Sequence, residues 1–117
     1  MYNNQELGKL GEDEAVKYLI KNGCKILDRN YNCAQGELDI VALDKNEIVF
    51  VEVKTRRSAY YGEPAEAVNY YKLKHMLSSI KYYLYKRNLE DEFIRIDIIE
   101  VYIKQDRIKI NHIKNVI

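Results

Sequence analysis

The run Val49-Phe50-Val51-Glu52-Val53 constrains this chain more than any other segment. Strand side chains alternate between faces, so consecutive apolar positions need cover on both sides of a sheet. Such a strand belongs in the middle of a layered α/β structure, and the flanking patterns supply the layers. From about Gln5 to Lys21 the spacing predicts a helix, with Gly8, Glu12, Ala15, Val16 and Leu19 on one stripe and Asn22-Gly23 as terminator. Cys24–Asn32 and Glu37–Leu43 read as strands around an Ala34-Gln35-Gly36 turn, and Asp44-Lys45-Asn46 turns into a hairpin with Ile48–Lys54. Pro64 suits the first turn of a second helix running to about Arg87, packed through Ala67, Tyr71, Leu73, Leu77, Ile80 and Leu84. Ile94–Ile103 and Arg107–Ile110 are two further strands around Gln105-Asp106. The predicted fold is α/β, a central mixed sheet flanked by helices in the order α-β-β-β-α-β-β. With 117 residues, one proline and five glycines, residues 1–117 are expected to form a single domain without a long linker.

No stretch reaches the apolar length of a membrane span, and Met1–Glu6 lacks the basic start and apolar run of a secretory signal. The expectation is a cytoplasmic protein with no membrane partner. Cys24 and Cys33 fit neither zinc-ligand spacing nor a disulfide framework and read as structural thiols; a redox pair would need them to meet across a hairpin. His75 and His112 are too isolated for a histidine-based site and are assigned surface or cap roles. A net charge of +1 makes no global case for nucleic acid. Locally, however, residues 67–89 contain Lys72, Lys74, Lys81, Lys86 and Arg87 and no acid. This is either a solvated helix face or a surface that follows phosphate.

Acids interrupt the apolar rows. Asp39 shares a strand face with Glu37, Val41 and Leu43; Glu52 and Lys54 share one with Ile48 and Phe50; Glu12 falls on the first helix's stripe. Placing a charge there is costly unless it is partnered. An ion pair between Glu52 and Lys54 accounts for those two and leaves Asp39 unexplained. A hard divalent ion, Mg²⁺ or Mn²⁺, accounts for all four residues, with Asp39 and Glu52 as ligands and Glu12 as an outer or second-ion ligand. Lys54 would then orient water or stabilise charge developing on a phosphate. Arg56 and Arg57 follow directly and suit phosphate contacts, as does Lys72, while Tyr60 and Tyr61 in the next loop suit substrate stacking. Asp97 is expected to pair locally with Arg95.

Gly36-Glu37-Leu38-Asp39-Ile40-Val41-Ala42, followed by Ile48–Arg56, resembles the core of the PD-(D/E)XK superfamily of restriction-endonuclease-like nucleases. Gly8–Ala15, Asn30-Tyr31, Tyr61-Gly62 and Lys72 extend the resemblance over nearly the whole chain. It is nearest the bacterial YraN-like family, itself similar to archaeal Holliday-junction resolvases. The resemblance implies that Asp39 is the first strand acid, Glu52 and Lys54 the Glu-x-Lys element, and Glu12 the helix acid of the resolvase-like branch. Leu38 stands where the superfamily's proline would be, which removes no ligand.

Together these readings give a metal-dependent endonuclease acting on DNA, including branched or repair-associated DNA. The alternative is a non-catalytic nucleic-acid-binding domain that retains the fold; an interaction domain whose acids and Lys54 form only an ion-pair network ranks third. Symmetric cleavage of two strands would call for a homodimer.

Overall fold

The computed structural model describes residues 2–57, 70–105 and 107–117. The element order is α1 (Asn4–Lys21), β1 (Lys25–Cys33), β2 (Gly36–Asp44), β3 (Glu47–Arg56), α2 (Tyr70–Lys86), β4 (Phe93–Lys104) and β5 (Arg107–Ile113). The expected α-β-β-β-α-β-β order is therefore present, with each described boundary within a few residues of its sequence assignment. Residues 58–69, with Tyr60, Tyr61, Pro64 and Ala67, lie outside the described residues.

The strands form one sheet in the spatial order β1-β2-β3-β4-β5. β3 pairs with β4 in parallel, Glu47 opposite Phe93 through Arg56 opposite Tyr102, while the other neighbours are antiparallel. The parallel step follows from the connection, since a strand returning through a helix can rejoin in the same direction and a two-residue hairpin cannot. β3 sits at the centre, as its two-sided apolar character required. Val49 and Val51 pack into a core beneath α1 with Ala15, Leu19, Ile40 and Ile99. Ile48 and Phe50 face the opposite core beneath α2 with Leu73, Met76, Ile80 and Tyr83.

Local signals fix the helix ends. Asn3 caps α1 by accepting from the Glu6 amide at 2.8 Å, and Gly23, at φ +91°, ends it as Asn22-Gly23 predicted. The buried stripe of α1 runs through Leu7, Gly11, Ala15 and Leu19, so Gly8 is exposed and Glu12 stands at the rim. On α2, Tyr71 is 82% exposed and is not a packing residue; the stripe is Leu73, Met76, Ile80, Tyr83 and Leu84. Tyr83 crosses Tyr31 and Phe50 edge-on and donates to Asp28 at 2.8 Å, so a buried ring keeps a partner for its hydroxyl.

His112 is not the surface residue its sequence context predicted. It links Tyr18 of α1 (3.0 Å) to Asp97 of β4 (2.7 Å), with Asp97 fully buried. Arg95 pairs locally with Asp97 as expected, at 3.0 Å, and also reaches Asp44 at 3.0 Å. Burial opposes the charge of Asp97, but hydrogen bonds from His112, Arg95 and the Asn115 amide outweigh it and hold the carboxyl below its ordinary range.

Gly11 sets how close α1 lies to β3. A Cβ there would fall 1.9 Å from Thr55 Oγ1 and 2.8 Å from Thr55 Cβ. Rotating the threonine cannot remove a clash with its own Cβ. Gly11→Ala should therefore cost about 1–3 kcal/mol despite the roughly 1 kcal/mol helix preference of alanine over glycine. Urea unfolding should show this loss and a partial rescue by Thr55→Ala; an unchanged Gly11→Ala midpoint would mean that α1 can lift off without cost.

Candidate functional site

The ladder between β2 and β3 runs from Asp44 opposite Glu47 to Ile40 opposite Val51 and stops there. Beyond it β2 remains paired with β1 as far as Gly36, and β3 remains paired with β4 as far as Arg56. The sheet thus forks. One more pair of steps in register would bring Leu38 opposite Val53, yet the Val53 amide instead donates to Asp39 Oδ2 at 2.9 Å. A side chain has replaced the next rung, and Asp39 lies at the crotch of the fork.

Strand alternation is reset at the same level. Ile40 and Ala42 pack under α1, whereas Leu38 packs under α2 with Val41. On β1, Asn30 takes φ +52°, and its neighbours face opposite layers: Arg29 bonds Glu12 of α1, while Tyr31 meets Tyr83 of α2. Positive φ in a non-glycine strand residue is uncommon and tolerated best by asparagine. This local reset lets Asp39 line pockets on both sides of the sheet.

On the α2 side a pocket of about 320 Å³ is lined by Asp39, Glu37 and Gly36 of β2, Glu52 of β3, and Lys72, His75, Met76 and Ser79 of α2. The four helix residues recur at i, i+3, i+4 and i+7, a single helical face. On the α1 side a second pocket is lined by Asp39, Glu12, Val53, Thr55 and the first two turns of α1. The structure therefore brings Asp39 and Glu52 into one pocket, and places Glu12 in the adjoining one, joined to it through Asp39.

Each acid has distinct partners. Glu12 Oε1 accepts from Arg29 Nε at 3.1 Å, Arg29 Nη2 at 3.0 Å and Asn30 Nδ2 at 2.9 Å. Glu52 lies 2.6 Å from Lys72 Nζ, with the lysine side chain 54% exposed. Burial pushes the Asp39 carboxyl up to about 6; the Val53 amide opposes that rise, and the charges of Glu52, Glu12 and Glu37 add to it. Among the described residues no group of three or more His, Cys, Asp or Glu side chains clusters closely enough to hold a metal ion.

Lys54 lies two residues beyond Glu52. Val53 and Thr55 face α1, so alternation puts Lys54 on the face of Glu52, beside Glu100 in the parallel register. Arg56 bonds Glu100 Oε2 at 3.3 Å, and Asn111 bonds the other oxygen at 2.8 Å, which partners an acid that is 1% exposed. Arg57 turns to the start of α1, reaching the Tyr2 carbonyl at 2.8 Å and Asn4 Oδ1 at 3.3 Å. Lys72 lines the pocket itself, and Tyr60 and Tyr61 lie outside the described residues. Sequence reading missed Glu37, His75, Ser79 and Glu100. The α2 face was readable in principle from the i, i+3, i+4, i+7 spacing that follows Lys72.

Both cysteines are free thiols: Cys24 packs against the α1 core with its thiol pushed up, chiefly by burial, and Cys33 Sγ donates to the Gly36 carbonyl at 3.3 Å.

Asp39 gives a testable pH dependence. Its folded-state pKa of about 6 lies above its ordinary value of 3.8, so ionisation opposes folding. The penalty is absent below the unfolded value, grows between 3.8 and about 6, and is complete above that. A shift of this size corresponds to at most roughly 3 kcal/mol. Asp39→Asn keeps an acceptor for the Val53 amide and removes the charge. In chelator at pH 8 the variant should be about 1–3 kcal/mol more stable than wild type by urea unfolding, with the gap closing below pH 4. Equal stability at pH 8 would show that Asp39 is well solvated.

Comparison with known proteins agrees over most of the chain. Residues 11–101 match the family described as "Uncharacterised protein family UPF0102". A UPF0102 protein of Clostridioides difficile is 47% identical over 113 residues, covering 97% of both chains. One from Caldanaerobacter subterraneus is 44% identical, covering 97% of this chain and 95% of its own. Another, from Caldicellulosiruptor saccharolyticus, is 44% identical over 97% and 98% respectively. The family match includes the second half of α1, the fork and the Glu52–Lys54 strand, and the chain belongs to the UPF0102 family.

Proposed function

We propose that this protein is a metal-dependent endonuclease of the PD-(D/E)XK type, hydrolysing phosphodiester bonds in DNA with Mg²⁺ or Mn²⁺. The observation that carries the reading is the fork: it delivers the carboxylates of Asp39 and Glu52, from separate strands, into one pocket.

The donor set fits a hard cation. Magnesium commonly takes one or two carboxylates and completes its shell with water and substrate phosphate, so a closed cage of three protein ligands is not required. Asp39, its carboxyl held up chiefly by burial and further by neighbouring negative charge, is a site where added positive charge would be favourable. Asp39 and Glu52 would hold the ion, with Glu12 across the fork within electrostatic reach of Asp39. Such an ion would polarise the phosphate and favour ionisation of attacking water.

The remaining steps belong to side chains. Lys72 balances Glu52, and its exposure leaves it able to swing to a phosphate oxygen when that charge is neutralised otherwise. Lys54, on the same strand face as Glu52, supplies positive charge towards the scissile group. Arg29 and Asn30 fix the Glu12 carboxylate and so orient the far side of the fork.

The alternative is a nucleic-acid-binding domain without catalysis, favoured by the Glu12 and Glu52 charges being already balanced by Arg29 and Lys72. A cleavage panel of single-stranded, duplex, flap and four-way DNA with Mg²⁺ and Mn²⁺ separates the two. Cleavage by wild type, abolished in Asp39→Asn, Glu52→Gln and Lys54→Ala, supports the enzyme; binding without cleavage on every substrate leaves the binding domain.

Metal binding provides a further check. Lys54→Ala should retain Mn²⁺ binding and Glu52→Gln should weaken it, both read by calorimetry. Lys72→Ala should bind Mn²⁺ several-fold more tightly without DNA, because the ammonium and the ion compete for Glu52. Weaker binding in Lys72→Ala would remove that competition from the site.

A further inference from the structure

The outward face of α2 carries a strip that neither core uses. Tyr71, Lys74, Lys81, Tyr82, Tyr85 and Lys86 recur at spacings of three, four and seven and so lie along one side of the helix. Tyr71 is 82% exposed and Tyr85 64%, and Lys86 Nζ sits 6.0 Å from the Tyr82 ring centre. Flat rings and cations are thus interspersed over roughly 22 Å of helix. The same helix lines the acidic pocket through Lys72 and His75, so the strip leads directly from it.

We propose that this strip is a binding track for single-stranded nucleic acid, with unpaired bases stacked on Tyr71, Tyr82 and Tyr85 and phosphates held by Lys74, Lys81 and Lys86. The assignment rests on the nuclease reading of the pocket only for its consequence, that the substrate has an unpaired strand beside the scissile bond. Charge complementarity identifies the occupant. The strip carries Lys74, Lys81 and Lys86 and no Asp or Glu, which suits a polyanion. Exposed tyrosine rings receive unpaired bases, whereas the bases of a duplex are already stacked and offer the helix only their edges and backbone. A protein partner fits less well, because protein interface cores are enriched in tyrosine but depleted in lysine.

The test is binding in EDTA, which keeps it independent of cleavage. An oligothymidylate and a hairpin duplex with equal numbers of phosphates are titrated by anisotropy, together with the protein's own tyrosine emission, which the absence of tryptophan leaves unobscured. The expected result is tighter binding of the single strand, with quenching. Tyr71→Ser and Tyr85→Ser should each weaken it roughly five- to a hundredfold and leave duplex affinity and salt slope unchanged. Lys74→Gln/Lys81→Gln/Lys86→Gln should weaken both ligands and make the single-strand salt slope shallower by about two units. All of these substitutions are on exposed positions, and circular dichroism checks the fold. Equal affinity for both ligands, or tyrosine variants that bind like wild type, would overturn the track. So would wild-type self-association lost in Tyr71→Ser/Tyr85→Ser, which would assign the strip to a second copy of the chain. Inactive but strand-binding wild type would defeat the nuclease reading alone; cleavage with no effect of the tyrosines would defeat the track alone.

Discussion

The hydrogen bond from the Val53 amide to Asp39 organises this molecule. A central strand cannot leave an inward amide unsatisfied, so wherever β2 departs from β3 some acceptor must take the vacated rung. A carboxylate does so here, and it both closes the ladder and stands at the opening that the departure creates. α1 and α2 then cover the two sides of the same fork, which is why residues distant in sequence, Glu12 and Lys72, reach the neighbourhood of one aspartate.

The local charge arrangement follows from that geometry. Glu12 and Glu52 stand on opposite sides of Asp39, one restrained by a guanidinium and an amide, the other by a flexible ammonium. A rigid partner suits a group whose orientation matters, and a mobile one suits a group that exchanges partners. Glu100, deeper along the same sheet face as Glu52, belongs to the rigid kind, since Arg56 and Asn111 each take one of its oxygens.

Much of the fold was legible because its strongest signals are periodic. The doubly apolar run of β3 required two covering layers, and the turns at Asn22-Gly23 and Asp44-Lys45-Asn46 fell where such residues terminate elements. Asp39 and Glu52 were legible as acids in apolar rows. What escaped lay in a backbone angle, in tertiary partners, or in a helical period that fits more than one face. The reset at Asn30 depends on one backbone angle, which asparagine permits without announcing, and strict alternation would have put Leu38 under α1. Tyr71 looked apolar by type, but the stripe of α2 passes through Leu73 and Met76 instead. His112 was judged from its sequence neighbours, while its partners lie 94 and 15 residues away.

The His112 bridge also bears on the edge of the sheet. β5 is an outer strand with one row of backbone groups facing away from β4, and such strands invite pairing with other chains. Because His112 reaches both Tyr18 and Asp97, lifting β5 would mean breaking contacts to a helix and to a buried acid at once. Arg107 and Lys109 add charge along the exposed stretch. The network therefore works against strand exchange at this edge, through side chains on the inner face and charge on the outer one.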